Sequence, residues 1–431
     1  MRSTVEDSSP RDLSTHYRFR RNPYDPSPLG VSGHDSELFV GRSHEGKALT
    51  AFLSSFDRGA LFVEGRIGVG KTSFVNVHEY RLFKAKTPRP TLPSLHVIQL
   101  QDTLTPAEFL LSPLSNVLNS LRTVSKEVEK DKTFRKLALR VEQSLIQTRT
   151  FQASAAGFGV GYGSSASATN PSVVLTPAIS RELDICADLV RDMGYERIVI
   201  NVNDLDIIPP ASFASFLDQV RDLTIIRRPY LWVFVGPVGS RSLVGHYSRR
   251  VSELVNTDPI VLPPLGKAEV HLAIAERTRK YSLKPGTASP ISQEVIDTLY
   301  DASQGEVRYI LNRATDLLMK TMLDFPTTSL VTREVAMPML VEMTQSVVAQ
   351  ANLTKRQLEV LSRIAARGAV QPKDFSALGF KSPQALVRYL STFYQMTLLD
   401  KRKGGRDVVY VPRGDVAIAL RPALPEQVGR A

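Results

Sequence analysis

The chain has 431 residues, 42% of them apolar and 23% charged, with a formal net charge of +11. That length exceeds one typical core and points to two or three globular domains. A lone cysteine, Cys186, excludes a disulfide framework or thiolate metal cluster and suits a reducing cytoplasm, and no run approaches the roughly 20 apolar residues of a membrane span. The first 30 residues are polar and rich in Arg and Pro, unlike a signal peptide. The positive charge is uneven: residues 351–431 hold 14 Lys+Arg against 6 Asp+Glu, so +8 of the +11 lies in the last fifth, where a polyanionic partner would find it.

Residues 1–36 are Ser-, Pro-, Asp- and Arg-rich with little periodicity, and are expected to form an extended or disordered arm with Asn22-Pro23-Tyr24 as an ordered contact. An α/β core is expected over 37–265. It opens with Leu38-Phe39-Val40-Gly41-Arg42 and a helix through Leu49, Phe52, Leu53 and Phe56. The apolar run from Leu61 then meets Gly65-Arg66-Ile67-Gly68-Val69-Gly70-Lys71-Thr72-Ser73, the G-x-x-x-x-G-K-[ST] spacing between a strand and a helix. Glycines there turn successive N–H groups toward phosphate oxygens at a helix N-terminus. Gly65, Gly68, Val69, Gly70, Lys71, Thr72 and Ser73 are thus the candidate ATP cradle, with Lys71 reaching the β- and γ-phosphates and Thr72 ligating Mg²⁺.

Further on, a strand is expected at His96–Leu100, and a capped helix from Thr105-Pro106 through Phe109, Leu110, Leu114, Val117, Leu118 and Leu121. Lys126–Arg149 reads as a largely exposed helix. In 151–170, Gly alternates with Phe158, Val160 and Tyr162, which suggests a thin hairpin touching DNA, a neighbouring subunit or a protein partner, or else a flexible insertion. After a helix over 177–194, the buried strand from Arg197 ends in Asn203-Asp204-Leu205-Asp206. Ligands bind beyond the carboxyl ends of parallel strands, so Asp204 is the candidate Mg²⁺ ligand and water-orienting base, or simply a helix cap, with Asp206 beside it. A helix over 211–223 and the strand Tyr230–Gly236 complete another β-α unit of a parallel sheet.

Helical patterns fill 266–345 as an all-α second domain, including Gly305-Glu306-Val307-Arg308. Residues 351–420 read as a third domain of three helices and a hairpin, a winged helix-turn-helix. Leu358, Leu361, Ile364 and Ala365 are expected inward on its first helix, and Leu386, Leu390 and Phe393 on the third, which Ser382-Pro383 opens. Gln384, Arg388 and Gln395 project from that helix and Lys401, Arg402, Lys403 and Arg406 decorate the wing, a pattern for duplex DNA or, with the charge unused, for protein contacts.

In this order of motifs the chain, from about Leu38 to Leu420, resembles an AAA+ ATPase of the origin-recognition or archaeal initiator type. The resemblance implies that Phe39 and Arg42 lie beside the adenine, that Gly65–Thr72 is Walker A and Asn203–Asp206 Walker B, and that Ile260-Val-Leu-Pro-Pro-Leu265 enters the lid. It further implies that Arg308 is a sensor 2 arginine reaching the γ-phosphate, that Arg249 or Arg250 is an arginine finger for a neighbouring subunit, and that the protein forms homo-oligomers or joins related AAA+ subunits. Asn203 departs from the family's Asp, which implies weak metal binding and slow hydrolysis, and Pro237-Val-Gly-Ser240 lacks a clear sensor 1. Two other expectations stand beside this one: a STAND-like signalling ATPase with an autoinhibitory winged helix, and a nucleotide-binding scaffold that barely hydrolyses.

Overall fold

The structure, a computed structural model, describes residues 12–99, 106–153, 171–255, 258–404 and 407–420. Two compact units emerge: one from residues 28–263, the other from the described residues before 28 and after 263.

The arm, expected to be extended or disordered, is folded from Asp12 onward. It contains α1 (Leu13–His16), capped by Asp12, and α2 (Gly33–Glu37), capped by Ser32. Tyr17, Phe19 and Tyr24 are buried, and a stretch that averages as polar is held by these three aromatic side chains.

The unit spanning 28–263 is a parallel sheet between helical layers. Its elements are α3 (Ser43–Ser55), β1 (Gly59–Gly65), α4 (Lys71–Lys84), β2 (Thr91–Leu92), β3 (Ile98–Gln99), α5 (Pro106–Val124), α6 (Lys132–Ala153) and α7 (Pro171–Asp192). There follow β4 (Arg197–Asn203), α8 (Pro210–Val220), β5 (Tyr230–Gly236), α9 (Ser240–Tyr247), α10 (Arg249–Leu254) and β6 (Ile260–Leu262). Strand order is β2-β4-β5-β1-β6, with β3 also on β4, and every pairing is parallel. Every residue of β1, β4 and β5 is buried, which is why these strands read as continuous apolar runs. Side-chain alternation splits them between two cores: Leu61 and Val63 pack with α3 and α4, while Ala60 and Phe62 pack with Trp232, Phe234 and helices α5, α7 and α8. The segment expected as an exposed helix is a 3₁₀ turn at Lys126–Lys130 followed by α6, whose Phe134, Leu137 and Val141 are buried. Of the expected 151–170 hairpin, residues 151–153 close α6 and 154–170 lie outside the described residues.

Glu79, on α4, is 2% exposed and accepts a hydrogen bond from the Ser94 N–H at 2.9 Å. Burial pushes its carboxyl from 4.5 up to about 8, that hydrogen bond opposing. Across this window the folded state keeps a proton that the unfolded chain has lost, so unfolding releases it and stability falls as pH rises. Glu79→Gln is expected to flatten the decline of thermal stability between about pH 5 and 8, by up to roughly 1.4 kcal/mol per pH unit. Melting curves with equal slopes in both proteins would contradict this assignment.

The other unit continues through α11 (Lys267–Tyr281), α12 (Gln293–Ser303), α13 (Val307–Asp324) and α14 (Arg333–Gln350), the all-α lid. Then come α15 (Lys355–Arg367), α16 (Pro383–Gln395), the antiparallel hairpin β7 (Leu399–Gly404) and β8 (Asp407–Pro412), and α17 (Gly414–Leu420). These last elements form the winged helix. Thr354 and Gln357 make a capping box on α15; Ser382 caps α16 with Pro383 in its first turn, and this helix start is the one the sequence predicts. Leu386, Leu390 and Phe393 are fully buried, together with Leu361 and Ile364. Leu358 differs: it is 40% exposed and Val360 takes the inward place. The expected second helix is a pair of 3₁₀ turns, Pro372–Asp374 and Ser376–Leu378.

α17 was not anticipated, and it fastens the winged helix to the lid. Asp415 accepts from Arg313 Nε (2.9 Å) and Nη2 (2.6 Å) and from the Tyr309 hydroxyl (2.9 Å), both donors lying on α13. Bidentate pairing of this kind fixes orientation as well as distance. Gly414 also sits so close to Tyr309 that a Cβ there would meet its ring at 2.3 Å. No helix among the described residues is long and apolar enough to cross a membrane.

Candidate nucleotide-binding site

The loop between β1 and α4 has the shape its glycines imply. Gly68 (φ +76°) and Gly70 (φ +90°) take left-handed conformations, with Gly70 as the N-cap of α4. Gly65 is needed for packing: a Cβ there would lie 3.0 Å from Val69 and 3.1 Å from the Leu262 carbonyl oxygen of β6. Val69 is buried, and its carbonyl accepts from Arg42 Nη2 at 2.6 Å. Lys71 Nζ donates to the Gly65 and Arg66 carbonyls at 3.0 and 2.9 Å, so its ammonium lies across the loop at the start of a 14-residue helix. Backbone N–H groups, a helix N-terminus and a lysine thus converge where an anion of the triphosphate kind fits.

The end of β4 stands beside this loop. Asn203 Nδ2 donates to Thr72 Oγ1 at 3.0 Å, and Asn203 is 5% exposed with its Oδ1 unbonded. The hydroxyl offered to a metal therefore faces a neutral amide in place of a carboxylate. Asp204 follows half-buried at φ +62°, with its carbonyl accepting from the Ile207 N–H, and Asp206 is exposed. Among the described residues no cluster of three metal-ligating side chains exists. Mg²⁺ is ordinarily held by one or two carboxylates together with substrate phosphates, and the residue bonded to Thr72 is an amide, with the carboxylate of Asp204 next to it in the chain.

Two predicted residues have structural neighbours that the motif does not specify. Arg42, at φ +59° and 7% exposed, supports the loop through Val69. Phe39 sets its ring 5.5 Å from that of His78 and lies under the Arg81 guanidinium at 5.6 Å, packing on the helix behind the loop. Ser73 and Asn76 of α4 hold the incoming chain: Ser73 Oγ accepts from the Leu29 N–H (3.0 Å), and Asn76 Nδ2 donates to the Leu29 carbonyl (2.9 Å).

Glu64 escaped the sequence reading. It directly precedes Gly65, is 2% exposed, and its carboxylate accepts from the Gly239 and Arg241 N–H groups, both at 2.7 Å. A buried carboxylate needs such donors, and here it ties the phosphate loop to the first turn of α9, where sensor 1 is expected. An acid inside an apolar strand was the available signal. Ser240 Oγ is turned to the Pro237 carbonyl at 2.7 Å.

Arg249 is 92% exposed on its side chain and paired with Glu253 at 2.8 Å; Arg250 is exposed. In the other unit, Arg308 is exposed on the first turn of α13, after Gly305 at φ +79°. On the winged helix Gln384, Arg388, Gln395 and Lys401 are exposed. Arg402 is not part of that outward set. Strand alternation turns it away from Lys401, and its Nη1 donates to Gln304 Oε1 at the end of α12. The side chain of Lys403, and Arg406 altogether, lie outside the described residues.

No family model and no curated protein matches the chain. Solved structures of similar fold include the Aeropyrum pernix ORC2 protein in ADPNP–ADP complexes, with 11% identity over 93% of this chain and 96% of that one (TM-score 0.48). The Aeropyrum pernix ORC1 protein in complex with DNA has 14% identity over the same shares (TM-score 0.48). A Thermotoga maritima RuvB variant has 12% identity over 90% of this chain and 95% of that one (TM-score 0.41). In element order the fold resembles the AAA+ architecture.

Proposed function

We propose that this chain is an ATP-binding switch of the AAA+ kind that grips duplex DNA through its winged helix and assembles with further copies or related subunits. The phosphate cradle, with Gly68 and Gly70 at positive φ and Lys71 across the loop, carries the nucleotide part of this reading. Phosphates displace the two carbonyls that hold Lys71, which moves its charge onto the ligand. Asp204 orients water for slow hydrolysis, Arg308 senses the terminal phosphate, and Arg249 or Arg250, already exposed, serves a neighbouring subunit's nucleotide. The net charge of the tail and the exposed Gln384, Arg388 and Lys401 support the DNA part.

A second reading has an observation of its own: the contacts of Asp415 with Arg313 and of Arg402 with Gln304 hold the winged helix on the lid, as an autoinhibitory element of a signalling ATPase would be held. The two readings part on one measurement. Arg388→Ala combined with Lys401→Ala is expected to weaken binding of a labelled 30-base-pair duplex about tenfold or more at 0.15 M salt, with ATP affinity unchanged. Unaltered duplex binding, or none in the parent protein, rejects the DNA grip and favours the signalling switch.

A further inference from the structure

The arm folded against α11 creates a basic strip that the nucleotide site and winged helix do not account for. Around Phe19 the chain pairs antiparallel with Ser282, the Arg20 N–H donating to the Tyr281 carbonyl (2.9 Å) and the Leu283 N–H to the Arg18 carbonyl (2.7 Å). Tyr17 and Phe19 are 5% and 1% exposed, whereas Arg18, Arg20 and Arg21 face solvent. Aromatic side chains anchor the segment, and its cations are left outside. The loop after α11 adds Lys284, also exposed, whose carbonyl accepts from Ser282 Oγ at 2.6 Å.

Two features distinguish this strip from ordinary solubilising charge. Arg18 is held at φ +61°, a conformation costly for a side chain of its size, and the flanking hydrogen bonds enforce it. Several basic side chains elsewhere on this unit are matched with acids, as in Lys267–Asp301, Lys320–Glu342 and Arg279–Glu276. Arg18, Arg21 and Lys284 have no ion pair among the described residues. The nearby carboxyl of Asp25 reports the resulting field: burial pushes its pKa up, yet hydrogen bonds from Ser27 with the charges of Arg277 and Arg21 bring it below its ordinary value. Strip and winged helix belong to the same compact unit.

We propose that Arg18, Arg20, Arg21 and Lys284 form a second contact for the phosphodiester backbone of duplex DNA, independent of base sequence. This rests on the DNA reading above and extends it to a surface outside the winged helix. The strip neutralises backbone phosphates and releases their counterions, so its contribution is read in the salt dependence of binding.

The test uses the full chain and a fluorescein-labelled 30-base-pair duplex, with anisotropy titrations at several salt concentrations. Arg20 is left in place because its Nη2 also donates to the Ser282 carbonyl at 3.2 Å. Arg18→Gln, Arg21→Gln and Lys284→Gln together are expected to lower the slope of log K against log salt by about 3, equally for unrelated duplex sequences, with an unchanged melting temperature. The variant with Arg388→Ala and Lys401→Ala separates the two claims. If it loses affinity while the strip variant matches the parent in slope and affinity, the strip proposal is overturned and the winged-helix reading stands. If the parent binds no duplex even at low salt, both fall. If the strip variant loses affinity only for single-stranded RNA of equal length, the surface serves another polyanion and the assignment to duplex DNA is overturned.

Discussion

Lys71→Ala is expected to weaken ATP binding at least a hundredfold while leaving a folded protein. Lys71 Nζ donates to the carbonyls of Gly65 and Arg66 at 3.0 and 2.9 Å. With nucleotide present the same ammonium meets phosphate oxygens, and each charge-assisted hydrogen bond contributes roughly 1.5–3 kcal/mol, so losing two costs a factor of a hundred or more. Titration with a fluorescent ATP analogue reads the affinity directly. Thermal melting supplies the control: ligand at a hundred times its Kd stabilises the parent by about 2.7 kcal/mol, and the variant should show almost none of that gain at the same concentration. A variant that binds ATP as tightly as the parent would remove the phosphate cradle from the argument.

The parts of this molecule that were legible in the sequence are those decided locally. Strands β1, β4 and β5 announce themselves because burial on both faces demands uninterrupted apolar runs, and the loop after β1 because left-handed backbone demands glycine. Ser382-Pro383 marks a helix start for similarly local reasons. What escaped depends on partners far away in the chain. Glu64 looks misplaced in an apolar strand until the N–H groups of Gly239 and Arg241 are set before it, across 175 and 177 positions. Arg402 looks like another wing cation until Gln304 is found 98 positions earlier. The arm fails for a related reason: composition averages its polar residues, but the fold selects Tyr17, Phe19 and Tyr24. Asn203 lies between these cases, since its identity was plain in the sequence and its bond to Thr72 required the tertiary structure.

Asn203→Asp is expected to convert nucleotide binding from weakly to strongly magnesium-dependent. In the parent protein the Asn203 amide donates to Thr72 Oγ1, which occupies a lone pair that a metal would need, and the amide itself brings no negative charge to that position. Removing Mg²⁺ with a chelator should therefore alter the parent's ATP affinity by less than about threefold, because the cradle and Lys71 supply most of the binding. An aspartate reverses the polarity of the contact: it accepts from the Thr72 hydroxyl, frees the oxygen lone pairs and adds a charge beside the phosphates. Chelation should then weaken binding about tenfold or more, as expected for an ion held by a carboxylate and phosphates together. The same substitution has a cost that can be measured without turnover. Position 203 is 5% exposed, so an aspartate there is a buried acid whose pKa rises, and the nucleotide-free variant should lose stability as pH increases past the ordinary carboxylate value. Magnesium and ATP together should restore the melting temperature, and neither alone should suffice. A parent protein that already loses tenfold on chelation would mean that Asp204 or another carboxylate holds the metal, and that the amide at position 203 does not set the metal dependence of this site.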